Sequence, residues 1–224
     1  MNEKKFRYAI YIVLAILILL FYTKDIDLFG QNFYENIKQI DNPDAIMVLV
    51  NKNYQLNNNY VPNDLEIIST SYAYENKSLR KEAKEAFEQL SEDAKNLGYK
   101  IVATSAYRDY DYQKKLFEEY TNEKGEAYAL ECSAKPGHSE HQTGLAVDVA
   151  GSNDDYDEFE SSIEFPWLKE NAHLYGFILR YPKGKEHITG FKYEPWHYRY
   201  VGMEVATIIY NENLTLEEYY NKYL

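Results

Sequence analysis

The sequence contains almost no cysteine, and this scarcity limits how the chain is stabilised and how it can bind metal. Cys132 is the single cysteine among 224 residues, so no disulfide can form within the chain and no cysteine-based zinc cluster can be built. Any metal site must therefore use histidine, aspartate or glutamate side chains.

Positive charge is also scarce. The chain has 24 Lys and Arg residues against 36 Asp and Glu residues, a formal net charge of -12. Such a chain repels phosphate backbones, and no stripe of basic residues with interleaved aromatics offsets the repulsion. We therefore expect no nucleic-acid partner. The length suits one compact domain with a sizeable core, and we expect a monomer.

A long hydrophobic run is absent, but a short one lies near the N-terminus. The basic end, residues 1–7, precedes an uncharged apolar run at 8–22, which is shorter than the ~20 residues usually needed to cross a bilayer. No small-x-small cleavage site follows, so the pattern favours an uncleaved single-pass anchor over a removed signal peptide, with a buried helix of a soluble protein as the alternative. The positive-inside rule then places the rest of the chain on the cell-wall side of the cell membrane.

Composition and periodicity divide the remaining chain into two parts. Residues 23–41 are polar and without clear period, which predicts a stalk, and residues 42–224 are predicted to fold. Residues 46–50 are predicted to be a strand or an extended segment, and strands are predicted at 100–105, 145–150 and 177–181. Helices are predicted at 79–97, after an Asp109 cap, at 165–175, at 201–210 and after a Thr215–Glu218 capping box. This alternation predicts a single α+β domain with a central, mostly antiparallel sheet flanked by helices.

Two motifs carry residues of the types that bind metal. The first is Ser-x-His-x-x-Gly-x-Ala-x-Asp from Ser139 to Asp148, in which His141 is the histidine. The second is Glu-Pro-Trp-His from Glu194 to His197. Two imidazoles and one carboxylate can fill three corners of a zinc tetrahedron and leave the fourth for water, as in catalytic sites.

We therefore predict that His141, Asp148 and His197 bind one Zn²⁺, which would lower the pKa of its bound water towards ~7 and polarise a carbonyl. Glu194 is the candidate general base, which would take the water's proton and pass it to a leaving amine. Pro195 argues against the helical His-Glu-x-x-His arrangement, so a loop or strand end must hold the glutamate. This chemistry is peptide-bond hydrolysis without a covalent enzyme intermediate.

Other polar residues have plainer interpretations. Arg108 and Gln113 could be a solvated pair at a helix start, Ser139 could cap a turn, and Cys132 is expected to be inert. The histidines interpreted as surface or packing residues are His138, His173 and His187.

Taken together, these motifs identify a family. The segments Ser139 to Asp148, Glu194 to His197, and Ser105 to Arg108 with Gln113 resemble the zinc D-alanyl-D-alanine carboxypeptidases of the VanY type. The similarity extends to LD-carboxypeptidases of the same fold and, more distantly, to VanX dipeptidases and hedgehog-like zinc domains. It covers about residues 42–202.

The resemblance implies the same zinc ligands and the same general base. It adds Arg108 as the residue that faces the substrate carbonyl and stabilises the growing negative charge on its oxygen. Ser139 and Gln113 would hold the peptide and its terminal carboxylate. Ala106 stands where the family often has glycine, and we expect this difference to affect the local backbone shape rather than catalysis.

The function implied is removal of the C-terminal D-alanine from peptidoglycan stem peptides by a membrane-anchored enzyme. The choice between a D-alanyl-D-alanine bond and an L-to-D bond stays open, because it depends on pocket shape near 123–136 and 181–192. Two alternatives also stay open: a wall-binding module with a purely structural zinc, and an endopeptidase that cuts cross-links. The presence of Glu194 and Arg108 favours catalysis, since a structural zinc needs neither.

Overall fold

Strands and helices alternate along residues 33–224, the part of the chain that the computed structural model describes. The strands are β1 Lys38–Gln39, β2 Tyr54–Gln55, β3 Leu65–Ile67, β4 Ser78–Arg80, β5 Val102–Ser105, β6 Ala146–Ala150, β7 Phe177–Leu179 and β8 His197–Tyr200. The α-helices are α1 Lys81–Asn96, α2 Tyr110–Lys124, α3 Glu126–Cys132, α4 Glu164–Asn171, α5 Glu186–Thr189, α6 Met203–Glu212 and α7 Leu216–Tyr223. Shorter 3₁₀ turns occupy Glu140–Thr143, Phe159–Ser161 and Ala172–Tyr175.

Four strands form the largest sheet, in the order β5-β6-β8-β7. Each neighbouring pair in it is antiparallel. The prediction of a single mixed domain with an antiparallel central sheet is therefore confirmed for the described residues, and β6 lies in the middle of the sheet.

One face of this sheet packs against α1. The main core contains Val147 and Val149 of β6 together with Phe87 of α1, all buried, and the Phe87 ring meets Phe177 of β7 edge-on at 6.1 Å. Successive strand residues point to opposite faces, so Asp148 points away from this core. The alternation of side chains along β6 thus places the Asp148 carboxylate on the other face of the sheet.

Two predicted helix caps are present. The Asp109 side chain accepts a hydrogen bond from the Tyr112 backbone N–H at the start of α2. Thr215 and Glu218 form a complete capping box at the start of α7. These contacts satisfy backbone N–H groups that have no partner inside the helix.

Of the two structures predicted for residues 46–50, a strand or an extended segment, the strand is not formed. Its buried backbone lies outside every sheet in the described part of the chain. The Ile46 and Val48 carbonyls instead accept hydrogen bonds from Arg199 Nη2 at 2.9 and 2.7 Å. An apolar run signals burial, but a buried side chain as well as a neighbouring strand can satisfy its carbonyl groups.

The predicted helix at 165–175 is divided into two. It is α-helical only in α4, Glu164–Asn171, and continues as a 3₁₀ turn over Ala172–Tyr175. Gly176, with φ 82°, then ends the turn in the left-handed conformation that glycine adopts readily.

The compact unit begins at Phe33, so residues 33–41 of the predicted stalk belong to the folded domain. Strand β1 within them pairs in parallel with β2, and the Tyr34 hydroxyl accepts a hydrogen bond from the Lys135 backbone N–H at 3.2 Å. Because this stretch is polar in composition, its pairing with β2 could not be predicted from the sequence.

The predicted anchor at 8–22 lies outside the described residues. Within 33–224, the structure contains no helix with the length and apolar character needed to span a bilayer.

Candidate active site

Strand register brings two of the predicted ligands together. Asp148 of β6 lies directly opposite His197 of β8 in the antiparallel ladder, and such residues share a face with Cβ atoms about 5 Å apart. His197 Nδ1 lies 2.8 Å from Asp148 Oδ1. The two strands therefore hold this pair rigidly.

A tight turn brings His141 to the same place. The 3₁₀ turn that contains it ends at Gly144, whose φ of 67° and ψ of 16° are left-handed. A Cβ at this position would lie 2.8 Å from Leu65 Cδ2 and would have to adopt the left-handed conformation, so glycine is favoured here. The reversal places His141 Nε2 3.2 Å from Asp148 Oδ2.

The second nitrogen of His141 has its own partner. Nδ1 lies 2.6 Å from the Ala106 carbonyl, and because a carbonyl can only accept, the Nδ1–H donates. This bond fixes the tautomer and leaves a lone pair on Nε2, as in metal-binding histidines. Nε2 is buried and makes no hydrogen bond within residues 33–224.

The donor set fits a zinc ion. One ligand atom from each of His141, Asp148 and His197 lies within 4.8 Å of the others, and the two rings meet edge-on at 5.0 Å. Two imidazole nitrogens and a carboxylate oxygen are ligands that zinc prefers, and three protein ligands leave a coordination position open.

Electrostatics at the site also favours a cation. Burial, reinforced by Arg108, lowers the pKa of His141 to about 4, so its ring is neutral. Burial disfavours the charged form of His197, but the hydrogen bond with Asp148 and the nearby Glu140 carboxylate outweigh it and raise the pKa to about 9. Burial likewise opposes ionisation of Asp148, but the two histidines hold its pKa well below the usual value. The surrounding carboxylates thus favour the binding of a cation between the three predicted ligands.

Glu194 lies beside the ligands on a non-helical segment, as Pro195 predicts. Its Oε2 is 4.0 Å from His197 Nδ1, and its backbone N–H donates to the Tyr181 carbonyl at 3.2 Å. Only 8% of Glu194 is exposed. Burial, with Asp148 nearby, raises the pKa of its carboxyl to about 7. A divalent cation close by would favour the ionised carboxylate and lower this pKa.

A cavity of about 400 Å³ opens over these groups and contains every predicted site residue in its wall. Arg108, Gln113 and Ser139 lie around it with Glu194 and the three predicted ligands. Aromatic side chains also line it: Tyr112, Tyr120, Tyr128, Tyr156, Tyr181, Phe191 and Trp196.

Several buried polar atoms in the cavity wall have no hydrogen-bond partner within residues 33–224, among them one atom each of Gln113 and Arg108. Gln113 is 1% exposed and donates from Nε2 to Ser133 Oγ and to the Ala134 carbonyl, at 3.1 and 2.8 Å. Its Oε1 and the Nε of Arg108 are buried without a hydrogen bond in the described part of the chain. Gln113 is therefore not solvated. Unpaired buried polar atoms are costly, and a bound peptide would pair them.

Two of the histidines set aside as packing or surface residues make structural contacts away from the predicted ligands. His138 is buried and its Nδ1 bonds the Asn51 carbonyl at 2.8 Å. His173 stacks on the Tyr210 ring with centroids 3.9 Å apart. The packing interpretation holds for both.

Sequence reasoning missed Glu140, which is almost fully buried between the motif residues Ser139 and His141. Its Oε1 accepts hydrogen bonds at 2.8 Å from Arg180 and from Arg199, and its Oε2 lies 3.5 Å from His197 Nε2. The two arginines outweigh the effect of burial and lower the pKa of Glu140. A signal did exist in the sequence: both arginines adjoin apolar strand residues, where a charge requires a buried partner.

Comparisons with known proteins agree with this geometry. The family model for VanY, D-alanyl-D-alanine carboxypeptidase, matches residues 76–203. The putative carboxypeptidase YodJ of Bacillus subtilis (strain 168) is 44% identical over 203 residues, which cover 85% of this chain and 74% of that protein.

Two solved structures are similar in fold and sequence. The LdcB LD-carboxypeptidase has a TM-score of 0.78 and 45% identity, covering 84% of this chain and 91% of its own. A mutant of the vancomycin resistance D,D-pentapeptidase VanY in complex with Zn(II) has a TM-score of 0.67 and 35% identity, covering 78% and 98%.

Proposed function

The chain belongs to the VanY family of zinc carboxypeptidases, and on this premise we propose that it removes the C-terminal D-alanine of peptidoglycan stem peptides at the site just described. One observation carries the proposal. The ligand atoms of His141, Asp148 and His197 converge within 4.8 Å at a cavity that also contains a buried glutamate and an arginine.

In this proposal zinc is held by His141 through Nε2, by the Asp148 carboxylate and by His197 through Nδ1. When bound, the ion supplies a Lewis acid that activates water and polarises the scissile carbonyl. The strand pairing of Asp148 with His197 and the bond from His141 to the Ala106 carbonyl keep these donors in place before the metal arrives.

Glu194 acts as the proton carrier. Its carboxylate takes a proton from the attacking water and gives it to the leaving amine of D-alanine. Burial suits this role, because a carboxyl group with a pKa near neutrality can both accept and return a proton.

Arg108 stabilises the negative charge that grows on the carbonyl oxygen. Its Nε is buried at the cavity wall and makes no hydrogen bond to residues 33–224, so this N–H can donate to the substrate. A fixed guanidinium in a site with little water costs no reorganisation at the moment of reaction.

Ser139 and Gln113 position the peptide in different ways. The Ser139 hydroxyl can donate to the terminal carboxylate of the substrate. The free atom of Gln113 is Oε1, an acceptor, so it suits a peptide N–H rather than the carboxylate.

The scissile bond is best assigned as the L-to-D bond of a tetrapeptide. The support is the similarity to the LdcB LD-carboxypeptidase in both sequence and fold. A D-alanyl-D-alanine bond in a pentapeptide is the second candidate, supported by the family model.

The proposed location follows from the sequence. Basic residues before the apolar run at 8–22 favour a single-pass anchor with the catalytic domain on the cell-wall side. That side holds the substrate. We also propose that the protein acts as a monomer, since the predicted ligands and the cavity come from one chain.

The test is incubation of the full-length protein with defined tetrapeptide and pentapeptide muropeptides, followed by mass measurement of the products. Free D-alanine and a peptide shortened by one residue are expected, from the tetrapeptide first. Two peptide fragments would identify an endopeptidase instead. Bound zinc without any cleavage would identify a wall-binding module.

A further inference from the structure

Four buried side chains of alternating charge form a continuous network behind the candidate metal site. Glu140 and Glu217 provide two negative charges, and Arg180 and Arg199 provide two positive charges. None of the four is more than 6% exposed. The network is therefore electrically balanced and shielded from water, so its interactions are screened very little by salt.

The contacts within the network are short and directional. Arg180 Nε donates to Glu140 Oε1 at 2.8 Å. Its other two nitrogens form a fork on Glu217, with distances of 2.9 and 2.6 Å. Such bidentate pairs fix orientation as well as supply energy.

One end of the network reaches a predicted zinc ligand. Glu140 Oε2 lies 3.5 Å from Nε2 of His197, while Nδ1 of the same ring faces Asp148. Histidines that bind metal through one nitrogen usually direct the other towards a carboxylate, which sets ring orientation and basicity.

The other end lies in the C-terminal helix. Glu217 is in the first turn of α7, Leu216–Tyr223, beyond the residues 76–203 that the family model matches. Glu217 also accepts a hydrogen bond from Asn51 Nδ2 at 3.1 Å, and the Asn51 carbonyl in turn contacts His138 just before the first motif. Helix α7 is thus connected to Glu140 through Arg180, and to the residue that precedes the first motif through Asn51.

We propose that Glu217 is a positioning residue for the zinc site: through Arg180 it fixes the Glu140 carboxylate that orients the His197 ring. The C-terminal helix is then part of the metal centre rather than an appendage to the catalytic domain. This inference rests on the ligand set proposed above.

Attachment of the helix alone does not explain a buried carboxylate at this position. Leu216 and Tyr219 already pack into a second core cluster, and the Thr215–Glu218 capping box orders the first turn. A buried ion pair adds little to stability compared with well-packed apolar residues of similar size. A role in orienting Glu140 accounts for the charge of Glu217, which packing alone does not explain.

The test is the variant Glu217→Gln in the full-length protein. It keeps the size of the side chain but removes its charge and the fork with Arg180. We expect zinc affinity, measured by competition with a chromophoric chelator, to fall about 10-fold, the lower end of the range for such supporting groups. The visible absorption spectrum of the cobalt-substituted protein should change as well, because the His197 ring is less constrained.

Glu164→Gln is the matched control. Glu164 is also fully buried and accepts hydrogen bonds from Ser152 and from the Lys100 backbone N–H. It contacts none of the predicted ligands. This variant should lose thermal stability while zinc affinity and the cobalt spectrum stay as in the wild type.

The outcomes are distinguishable. Wild-type zinc affinity and an unchanged cobalt spectrum in Glu217→Gln would overturn the inference, whatever its melting temperature. If that variant does not fold, Glu217→Asp, which keeps the charge but withdraws it by one methylene, must show weakened zinc binding, and wild-type binding would overturn the inference in the same way. Failure of the wild-type protein to bind zinc would instead refute the proposed function.

Discussion

Replacing Glu194 with glutamine should separate catalysis from metal binding. Glutamine has nearly the same shape but cannot accept a proton. Glu194 lies 4.0 Å from His197 Nδ1 and is not one of the three converging ligands. We therefore expect the variant to keep its zinc and lose its turnover.

The expected loss of rate follows from the role of Glu194 as a general base. General base catalysis contributes roughly 10²- to 10⁴-fold to rate, which corresponds to about 3–5 kcal/mol in the activation free energy. The loss should fall on kcat rather than KM, because the carboxylate acts on the water rather than on the bound peptide.

The assay is release of D-alanine from a tetrapeptide muropeptide, with zinc content measured on the same samples by elemental analysis. Glu85→Gln is the control, since Glu85 is exposed on α1 and forms an ion pair with Lys81, one turn earlier in the helix. Wild-type kcat in Glu194→Gln would remove this residue from the mechanism. Loss of zinc together with activity would show that it is a ligand instead.

Three further predictions concern charge, metal and core. Arg108→Ala should lower kcat by roughly 10²- to 10³-fold, as for removal of one oxyanion donor, in the same D-alanine assay; an effect on KM alone would assign the arginine to binding. Removal of zinc with a chelator should lower the melting temperature, and zinc at about 1,000 times its Kd should restore about 4 kcal/mol; a melting curve indifferent to zinc would contradict the site. Phe87→Ala should reduce the free energy of unfolding by about 3–5 kcal/mol in urea, because its ring is buried against Phe177; a loss below about 1 kcal/mol would mean that this core is loosely packed.

The convergence of His141, Asp148 and His197 can be anticipated from the sequence because most of its signals are local. His141 and Asp148 are separated by a glycine turn, and the alternation of β6 turns Asp148 away from its aliphatic neighbours. Glu194 and His197 fall within four residues of each other. The two motifs are far apart in the sequence, so their contact in the fold cannot be predicted from local signals. The family resemblance predicts it.

What the sequence does not predict depends on distant partners. Glu140 resembles any solvated glutamate until Arg180 and Arg199 are seen to enclose it. Residues 33–41 have the composition of a stalk, yet a parallel pairing with β2 ties them to the domain. The apolar run at 46–50 is partly to fully buried, but its Ile46 and Val48 carbonyls accept hydrogen bonds from the Arg199 side chain rather than from a strand.

The measurement that tests the account most directly is an anomalous diffraction map, recorded at the zinc absorption edge, from crystals of the zinc-loaded protein. We predict one peak about 2.0–2.2 Å from His141 Nε2, from an Asp148 carboxylate oxygen and from His197 Nδ1. A peak at another place, or bonded to only one of these residues, would contradict the central claim.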